Sequence, residues 1–204
     1  MKLARCAVYY IAAFHLVLLS ACTTVNKPTP VDDPELEWAV RQTQLNKISQ
    51  WKINGRLAIT NEAEVWHLSV IWNQQDQRYK IHLSGPFGAG AVQLTGDQTG
   101  VMIKSDGETT HANNAEQLLL EKTGVQIPVK DLFYWVRGLP NPESNNTNIK
   151  LDPYGRLNTL SQNNWKIRFK RYNTTGTIDL PSKIFIKRES LDIRFVIEEW
   201  SFSS

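Results

Sequence analysis

The sequence predicts a mainly β fold in which one antiparallel sheet curves toward an unclosed barrel and helices lie across its open side. Two observations lead to this prediction. From residue 50 onward, apolar and polar residues alternate with a period of two in two separate blocks, which is typical of strands with one apolar and one solvated face. Between the blocks, residues 113–140 lose this alternation and carry the signals of two helices.

The first block is predicted to begin after a helix. Asp33 and Pro34 provide an N-cap and a first-turn proline, and the helix should run to about Ile48. A meander follows, with strands near residues 51–59, 66–72, 79–83, 92–94 and 101–103. Its turns are predicted at residues 73–77, at residues 96–100 and at Asp106-Gly107, a pair that is typical of tight hairpins.

The two inserted helices are predicted at residues 114–123 and 129–137. Asn114 can cap the first helix, Gly124 can end it, and residues 138–140 should end the second. The second block has strands near residues 156–161, 165–172, 183–188 and 191–200, while residues 141–148 are predicted as a loop. About ten strands would leave a half-closed sheet, and the apolar helices have no better place than across its mouth.

The N-terminus is predicted to be a lipoprotein signal. Lys2 and Arg5 precede an apolar run that is too short for a spanning helix. Residues 19–22, Leu-Ser-Ala-Cys, resemble the lipobox of bacterial lipoproteins. That resemblance implies cleavage of residues 1–21 and lipidation of Cys22, and Thr23 in place of Asp favours the outer membrane. An ordinary secreted protein with a chance cysteine is the alternative.

The remaining organisation is simple. Residues 22–33 contain two prolines and should form a flexible tether, and residues 34–204 should form a single domain. The chain carries a formal charge of +3, which falls to +1 once Lys2 and Arg5 are removed, so nucleic acid is not an expected partner. Cys6 and Cys22 are the only cysteines, and neither remains free for a disulfide.

Enzymatic motifs are not found. His67, His82 and His111 have no spacing typical of a metal site, and there is neither a nucleophile elbow nor a phosphate-binding loop. We therefore expect no catalytic residues, no metal and no cofactor.

Several motifs resemble the LolB family of outer-membrane lipoprotein receptors. They are Asn54-Gly55-Arg56, residues 85–88, residues 127–140 and residues 151–172, and they follow one another in the family's order over nearly the whole mature chain. The resemblance implies an unclosed barrel of about eleven strands with a helical lid and a hydrophobic cavity. It also implies that the chain accepts acylated lipoproteins from the periplasmic carrier LolA and inserts them into the outer membrane, as a monomer that meets outer-membrane phospholipids.

The apolar faces of the strands and the second helix provide the candidate lining of an acyl cavity. Any one of these side chains could equally be ordinary packed core, because apolar faces are usually core. The candidates are Trp51, Ile53, Leu57, Trp66, Leu68, Trp72, Ile81, Leu83, Leu132, Trp135, Ile167, Phe169, Ile193 and Phe195.

The loop around Pro86, Phe87 and Gly88 is the candidate membrane-insertion loop. It presents one large apolar side chain among glycines and a proline, so it cannot bury Phe87 within itself. In the resembled family, the corresponding residue helps to put acyl chains into the membrane. The alternative is that Phe87 folds back onto the rim of the sheet.

A rival function remains open at this point. The chain could be a structural lipoprotein that scaffolds an outer-membrane assembly complex. A packed interior and a polar loop would favour the scaffold, whereas an open cavity would favour the receptor.

Overall fold

The computed structural model describes residues 29–202, apart from residues 63, 98 and 145 and the side chains of residues 122 and 123. The predicted signal, Cys22 and most of the predicted tether lie outside these residues. Val31–Ser204 forms one compact unit, and all the buried apolar residues within the described ranges belong to it. A chain that begins at residue 29 therefore contains all of the core that the structure describes.

One antiparallel sheet of eleven strands makes up the fold. Its strands are β1 (Gln50–Thr60), β2 (Val65–Gln75), β3 (Arg78–Ser84), β4 (Val92–Gly96), β5 (Val101–Ser105), β6 (Glu108–Ala112), β7 (Thr147–Leu151), β8 (Leu157–Gln162), β9 (Trp165–Thr175), β10 (Ile178–Arg188) and β11 (Leu191–Phe202). Their order is β6-β5-β4-β3-β2-β1-β11-β10-β9-β8-β7. Because β6 and β7 are the two edges and do not pair, the sheet is not closed, and the predicted fold class is confirmed.

Within residues 29–202, three α-helices accompany the sheet. Helix α1 (Pro34–Asn46) begins at Asp33, whose carboxylate accepts hydrogen bonds from two first-turn amides. Helix α2 (Ala115–Thr123) is capped by Asn114 and ends at Gly124, which adopts the left-handed conformation. Helix α3 (Val129–Trp135) follows Pro128. The predicted caps of α1 and α2 are therefore confirmed.

Three details of the prediction are wrong. Thr147–Leu151 forms edge strand β7 where part of a loop was expected, because only two of its five residues are apolar and the alternation is faint. Strand β10 begins at Ile178 and contains Pro181, a residue that normally argues against a strand. Strand β2 continues to Gln75, so the turn is shorter than predicted, because polar Asn73 and Gln74 still pair with β1 and β3.

The interior lies on one face of the sheet, beneath the helices. Alternate residues of the central strands are buried there, and the registers of β1 with β2 and β11 bring their apolar side chains together. Gly55 lies where β11 inserts one extra residue opposite β1, and a Cβ atom at this position would be 2.3 Å from the carbonyl oxygen of Val196. Within the described ranges, no helix combines the length and hydropathy needed to cross a bilayer.

Candidate functional site

An aromatic cluster fills the interior beneath α3. The ring of Trp51 is 5.1 Å from that of Trp72, 5.4 Å from that of Trp200 and 6.4 Å from that of Phe133, between ring centroids. Trp51 is only 1% exposed, and its indole N–H has no hydrogen-bond partner among the described residues. This half of the interior is therefore packed around Trp51.

A buried arginine fastens α3 to the end of α1. Arg137 is 3% exposed, and it donates hydrogen bonds to the carbonyl oxygens of Leu45 and Ile48 at 3.3 and 2.9 Å. Its guanidinium also lies 4.1 Å from the ring centroid of Phe133. Burial lowers the pKa of Arg137 to about 10, so it is charged at neutral pH. It is the donor to the Ile48 carbonyl, and it adds a second hydrogen bond to the Leu45 carbonyl, which already accepts from the Ile48 N–H.

A buried glutamine fastens the other side of α3. Gln162 Oε1 accepts a hydrogen bond from the indole N–H of Trp135 and another from the backbone N–H of Asn141, both at 2.9 Å. Its amide nitrogen donates to the Asn141 carbonyl at 2.7 Å and to the Thr147 hydroxyl at 2.8 Å. With Arg137 and Gln162 both engaged, α3 is held firmly over the packed half.

The other half of the same inner face is less completely covered. Leu57, Trp66, Leu68 and Leu83 point inward but remain half-buried. Leu57 is paired with Leu68, and Leu68 and Leu83 are next to the pair Ser69–Ser84. This half-exposed wall (Leu57, Trp66, Leu68 and Leu83) therefore lies where β2 and β3 lead into the loop that carries Phe87.

That loop holds its aromatic side chain in solvent. Residues 86–88 form a 3₁₀ turn in which Phe87 has φ = 56° and Gly88 has φ = 81°. A phenylalanine in the left-handed region carries a conformational cost, yet its side chain is fully exposed and gains no packing. Phe87 consequently does not fold back onto the rim of the sheet, while its membrane role stays a prediction.

A void of about 410 Å³ opens at the other end of β3, between α3 and the β2–β3 turn. Trp72, Tyr79 and Phe133 contribute its aromatic walls, and Asp76 and Asp97 contribute acidic groups. Burial raises the pKa of Tyr79 to about 12, whereas hydrogen bonds from Thr99 lower the pKa of Asp97. This opening thus has apolar walls and an anionic rim.

The predicted lining residues divide into two groups, and their proposed role in binding acyl chains stays a prediction. Nine are buried, namely Trp51, Ile53, Trp72, Ile81, Trp135, Ile167, Phe169, Ile193 and Phe195. Five are half-buried against the core, namely Leu57, Trp66, Leu68, Leu83 and Leu132.

Sequence reasoning missed several residues that shape this interior. Trp200 breaks the period of two in β11, and only the extra residue opposite Gly55 turns it inward. Arg137 and Gln162 are polar, so a hydrophobic pattern assigns them to the surface. Among the residues that the structure describes, no group of three histidine, cysteine, aspartate or glutamate side chains could hold a metal ion.

The comparisons with known proteins agree with one another. The family model for outer membrane lipoprotein LolB matches residues 49–200. Outer-membrane lipoprotein LolB of Nitrosococcus oceani is 38% identical over 91% of this chain and 92% of the relative. The protein of the same name from Alkalilimnicola ehrlichii is 34% identical over 95% of this chain and 96% of the relative.

Solved structures resemble the chain in fold. A LolA superfamily protein from Nitrosomonas europaea superposes with a TM-score of 0.57 at 7% identity, covering 80% of this chain and 94% of that chain. At this identity the likeness concerns the fold alone, which is the open sheet described above.

Proposed function

The chain belongs to the LolB family of outer-membrane lipoproteins, and on that premise we propose that it is the receptor that accepts lipoproteins from LolA and inserts them into the outer membrane. Acylated lipoproteins are its cargo, its inner sheet face binds their acyl chains, and the Phe87 loop enters the phospholipid surface during release. The reaction is a transfer of binding partners in which no covalent bond changes.

The free energy of acyl chains in water explains why such a receptor is needed. At about 0.8 kcal/mol per methylene, three chains of roughly fifteen carbons cost on the order of 30 kcal/mol to expose. The cargo must therefore pass from one apolar surface to the next without entering water. A receiving protein needs apolar surface that is already accessible, and more that can become accessible when the first segment of chain arrives.

One observation carries the proposal: a half-exposed apolar wall leads to a fully exposed Phe87. Leu57, Leu68 and Leu83 offer accessible surface without rearrangement, and the packed aromatic cluster lies further along the same face. Acyl chains that first contact the wall can then displace Phe133 from Trp51. The neighbouring loop provides the exit toward lipid.

The N-terminus of the proposed receptor carries its own anchor. We expect residues 1–21 to be removed and Cys22 to bear the lipid, with residues 22–33 as the tether. Mass spectrometry of the purified chain should find a diacylglyceryl group and an N-acyl group on Cys22, and Cys22→Ala should leave the precursor uncut. A mature chain with an unmodified residue 22 would contradict the anchor.

The transfer itself can be tested with residues 29–204, which include all of the described core. The purified domain is mixed with LolA that holds a fluorescently labelled lipoprotein, and the two proteins are separated by size or by an affinity tag. We expect the label to move to the domain without ATP and then to liposomes. The control domain carries Asn73→Asp on the outer face of β2, which changes charge without touching the inner wall.

The same experiment separates the receptor from the scaffold. A scaffold would leave the label on LolA and would show no saturable exchange with an acylated peptide. The packed half of the interior is compatible with either role, so the decisive measurement is exchange, not packing.

A further inference from the structure

The outer face of β9, β10 and β11 is strongly basic. Strand β9 carries Lys166, Arg168, Lys170 and Arg171, all exposed, and it contains no acidic residue. Strand pairing sets Arg168 beside Phe185 of β10, and Phe185 beside Arg194 of β11. The cations therefore form a continuous patch across three neighbouring strands, on the side of the sheet opposite the inner wall.

The centre of this patch is an aromatic ring that faces solvent. Half-buried Phe185 has the cationic groups of Arg194, Lys183 and Arg168 at 5.1, 5.5 and 5.8 Å from its ring centroid. Such contacts hold the cations near the ring without neutralising them. We call Arg168, Lys183, Arg194 and Phe185 the basic outer face.

These three cations have no acidic partner within 4 Å among the described residues, whereas neighbouring cations on the same surface do. Arg56 pairs with Glu198, and Lys187 pairs with Asp192. The basic outer face consequently keeps its full positive charge available for an external anion.

The basic outer face is also connected to the Phe87 loop. Arg194 lines a surface groove of about 430 Å³ that continues past Arg56 and His67 to Gly85 and Pro86, directly before Phe87. Strands are about 4.8 Å apart, so Phe185 lies on the order of 15 Å from His67 along the sheet. The cations and the start of the loop therefore lie on the same side of the sheet, at the two ends of one groove.

We infer that the basic outer face binds the phosphate groups of anionic phospholipids in the membrane that receives the cargo, and so orients the Phe87 loop toward that membrane. This inference rests on the proposed function and names the surface that meets the lipid. A carrier must reach the inner face to hand over acyl chains, and the patch lies on the opposite side of the sheet. Aromatic rings and basic side chains together are favoured at the headgroup level of bilayers.

The test measures how residues 29–204, which lack the lipid anchor, partition onto vesicles of phosphatidylcholine with or without phosphatidylglycerol. Each basic residue near an anionic surface contributes about a fivefold gain in partitioning. The triple variant Arg168→Gln, Lys183→Gln, Arg194→Gln should therefore partition roughly a hundredfold more weakly onto phosphatidylglycerol vesicles at low salt. It should differ little from the wild type on pure phosphatidylcholine.

A matched variant controls for net charge. Lys80→Gln, Lys104→Gln and Lys150→Gln remove three exposed cations from β3, β5 and β7, and this variant should keep most of the partitioning. An equal loss in both variants would mean that only net charge matters and would overturn the inference. Wild-type partitioning by the first variant would overturn it as well.

Cargo acceptance distinguishes this inference from the proposed function. The first variant should accept lipoprotein from LolA as the wild type does. If it partitions normally but fails to accept cargo, the patch binds the carrier and the inference is wrong. If the wild type itself accepts no cargo, the proposed function is wrong, and the vesicle measurement still decides whether the patch binds anionic lipid.

Discussion

The two halves of the inner face are made from the same strands and the same kinds of side chain, but they are covered differently. Under α3, Trp51 and Trp72 are almost completely buried, and Phe133 stacks on Trp51. Toward the Phe87 loop, Trp66 and Leu68 point to the same side of β2 and remain half-buried. The difference comes from the helices, since Arg137 and Gln162 hold α3 over one half only.

The two halves of the inner face should contribute differently to folding stability and to the binding of acyl chains. A fully buried side chain contributes its transfer free energy and its dispersion contacts to folding. A half-buried apolar side chain contributes less, but it leaves apolar area that a ligand can cover. We therefore expect substitutions in the packed half to lower stability most, and those in the half-exposed wall to lower acyl binding most.

The largest effect on stability is expected from Trp51→Ala. Truncating a buried tryptophan typically costs about 3–5 kcal/mol, because the cavity collapses only in part. Trp66→Ala, on the next strand in the half-exposed wall, should cost clearly less. Urea unfolding of both variants, followed by circular dichroism, gives the two free energies of unfolding. Equal losses would show that the two halves are packed alike.

A smaller effect is expected from Arg137→Met. The substitution leaves the carbonyl oxygen of Ile48 without its donor, and an unsatisfied buried group costs about 1–3 kcal/mol. The carbonyl oxygen of Leu45 keeps the hydrogen bond from the Ile48 N–H. Part of that loss is offset because a buried charge no longer has to be desolvated. We expect a net loss of about 1–3 kcal/mol, together with faster uptake of an apolar fluorescent dye as α3 is released.

Arg156→Met provides the control for that experiment. Arg156 makes ion pairs with Asp152 and Asp179, both at 2.8 Å. In the part of the chain that the structure describes, no hydrogen bond or ion pair joins it to α3. Its loss should reduce stability by a similar amount without changing the rate of dye uptake. If both variants accelerate dye uptake equally, a general loss of stability explains the effect, and Arg137 does not specifically hold α3 in place.

The comparison of the halves also shows what a sequence can predict. Alternation in β1 and β2 predicts which residues point inward, and the structure agrees for Trp51, Leu57, Leu68 and Trp72. Alternation cannot predict how deeply each becomes buried, because that depends on where α3 comes to rest. The contacts that decide this belong to Arg137, which is 89 residues from its partner Ile48 along the chain.

The inward orientation of Trp200 and the position of Pro181 within a strand cannot be predicted from a periodic pattern. Trp200 lies in the aromatic cluster because β11 contains one extra residue opposite β1, and the alternation of the sequence does not predict this extra residue. Pro181 lies within β10 at a shift in register with β9, where a strand can accommodate a residue that lacks an N–H. The helix caps are easier to predict from sequence, because Asp33 and Asn114 accept hydrogen bonds from amides only two or three residues away.

A modest effect on stability and a large effect on binding are expected from Leu68→Glu. The side chain is half-buried in the wall, so the carboxylate can reach water and should lower stability by only about 1 kcal/mol. The same charge lies where acyl chains should first bind, and an unpaired charge against hydrocarbon is strongly unfavourable.

Displacement of an apolar dye by an acylated peptide measures this binding. We expect Leu68→Glu to weaken the affinity for the acylated peptide by tenfold or more. Ser69→Glu, on the opposite face of β2, should leave this affinity unchanged. Equal behaviour of the two variants would mean that the wall is not the binding surface.

The smallest effect on stability is expected from Phe87→Glu. Phe87 is fully exposed and has a positive φ, and glutamate meets the same backbone cost, so the free energy of unfolding should change by less than about 0.5 kcal/mol. Acceptance of cargo from LolA should also be preserved, because Leu57, Leu68 and Leu83 are untouched. Delivery to liposomes should fail, since a charge entering hydrocarbon costs at least about 2.5 kcal/mol.

Phe87→Leu keeps an apolar tip and should deliver nearly as well as the wild type. Measured side by side, the two variants test side-chain polarity at one position with the backbone held constant. If Phe87→Glu delivers cargo at the wild-type rate, the loop does not enter the membrane, and the half-exposed wall must release its chains by another route.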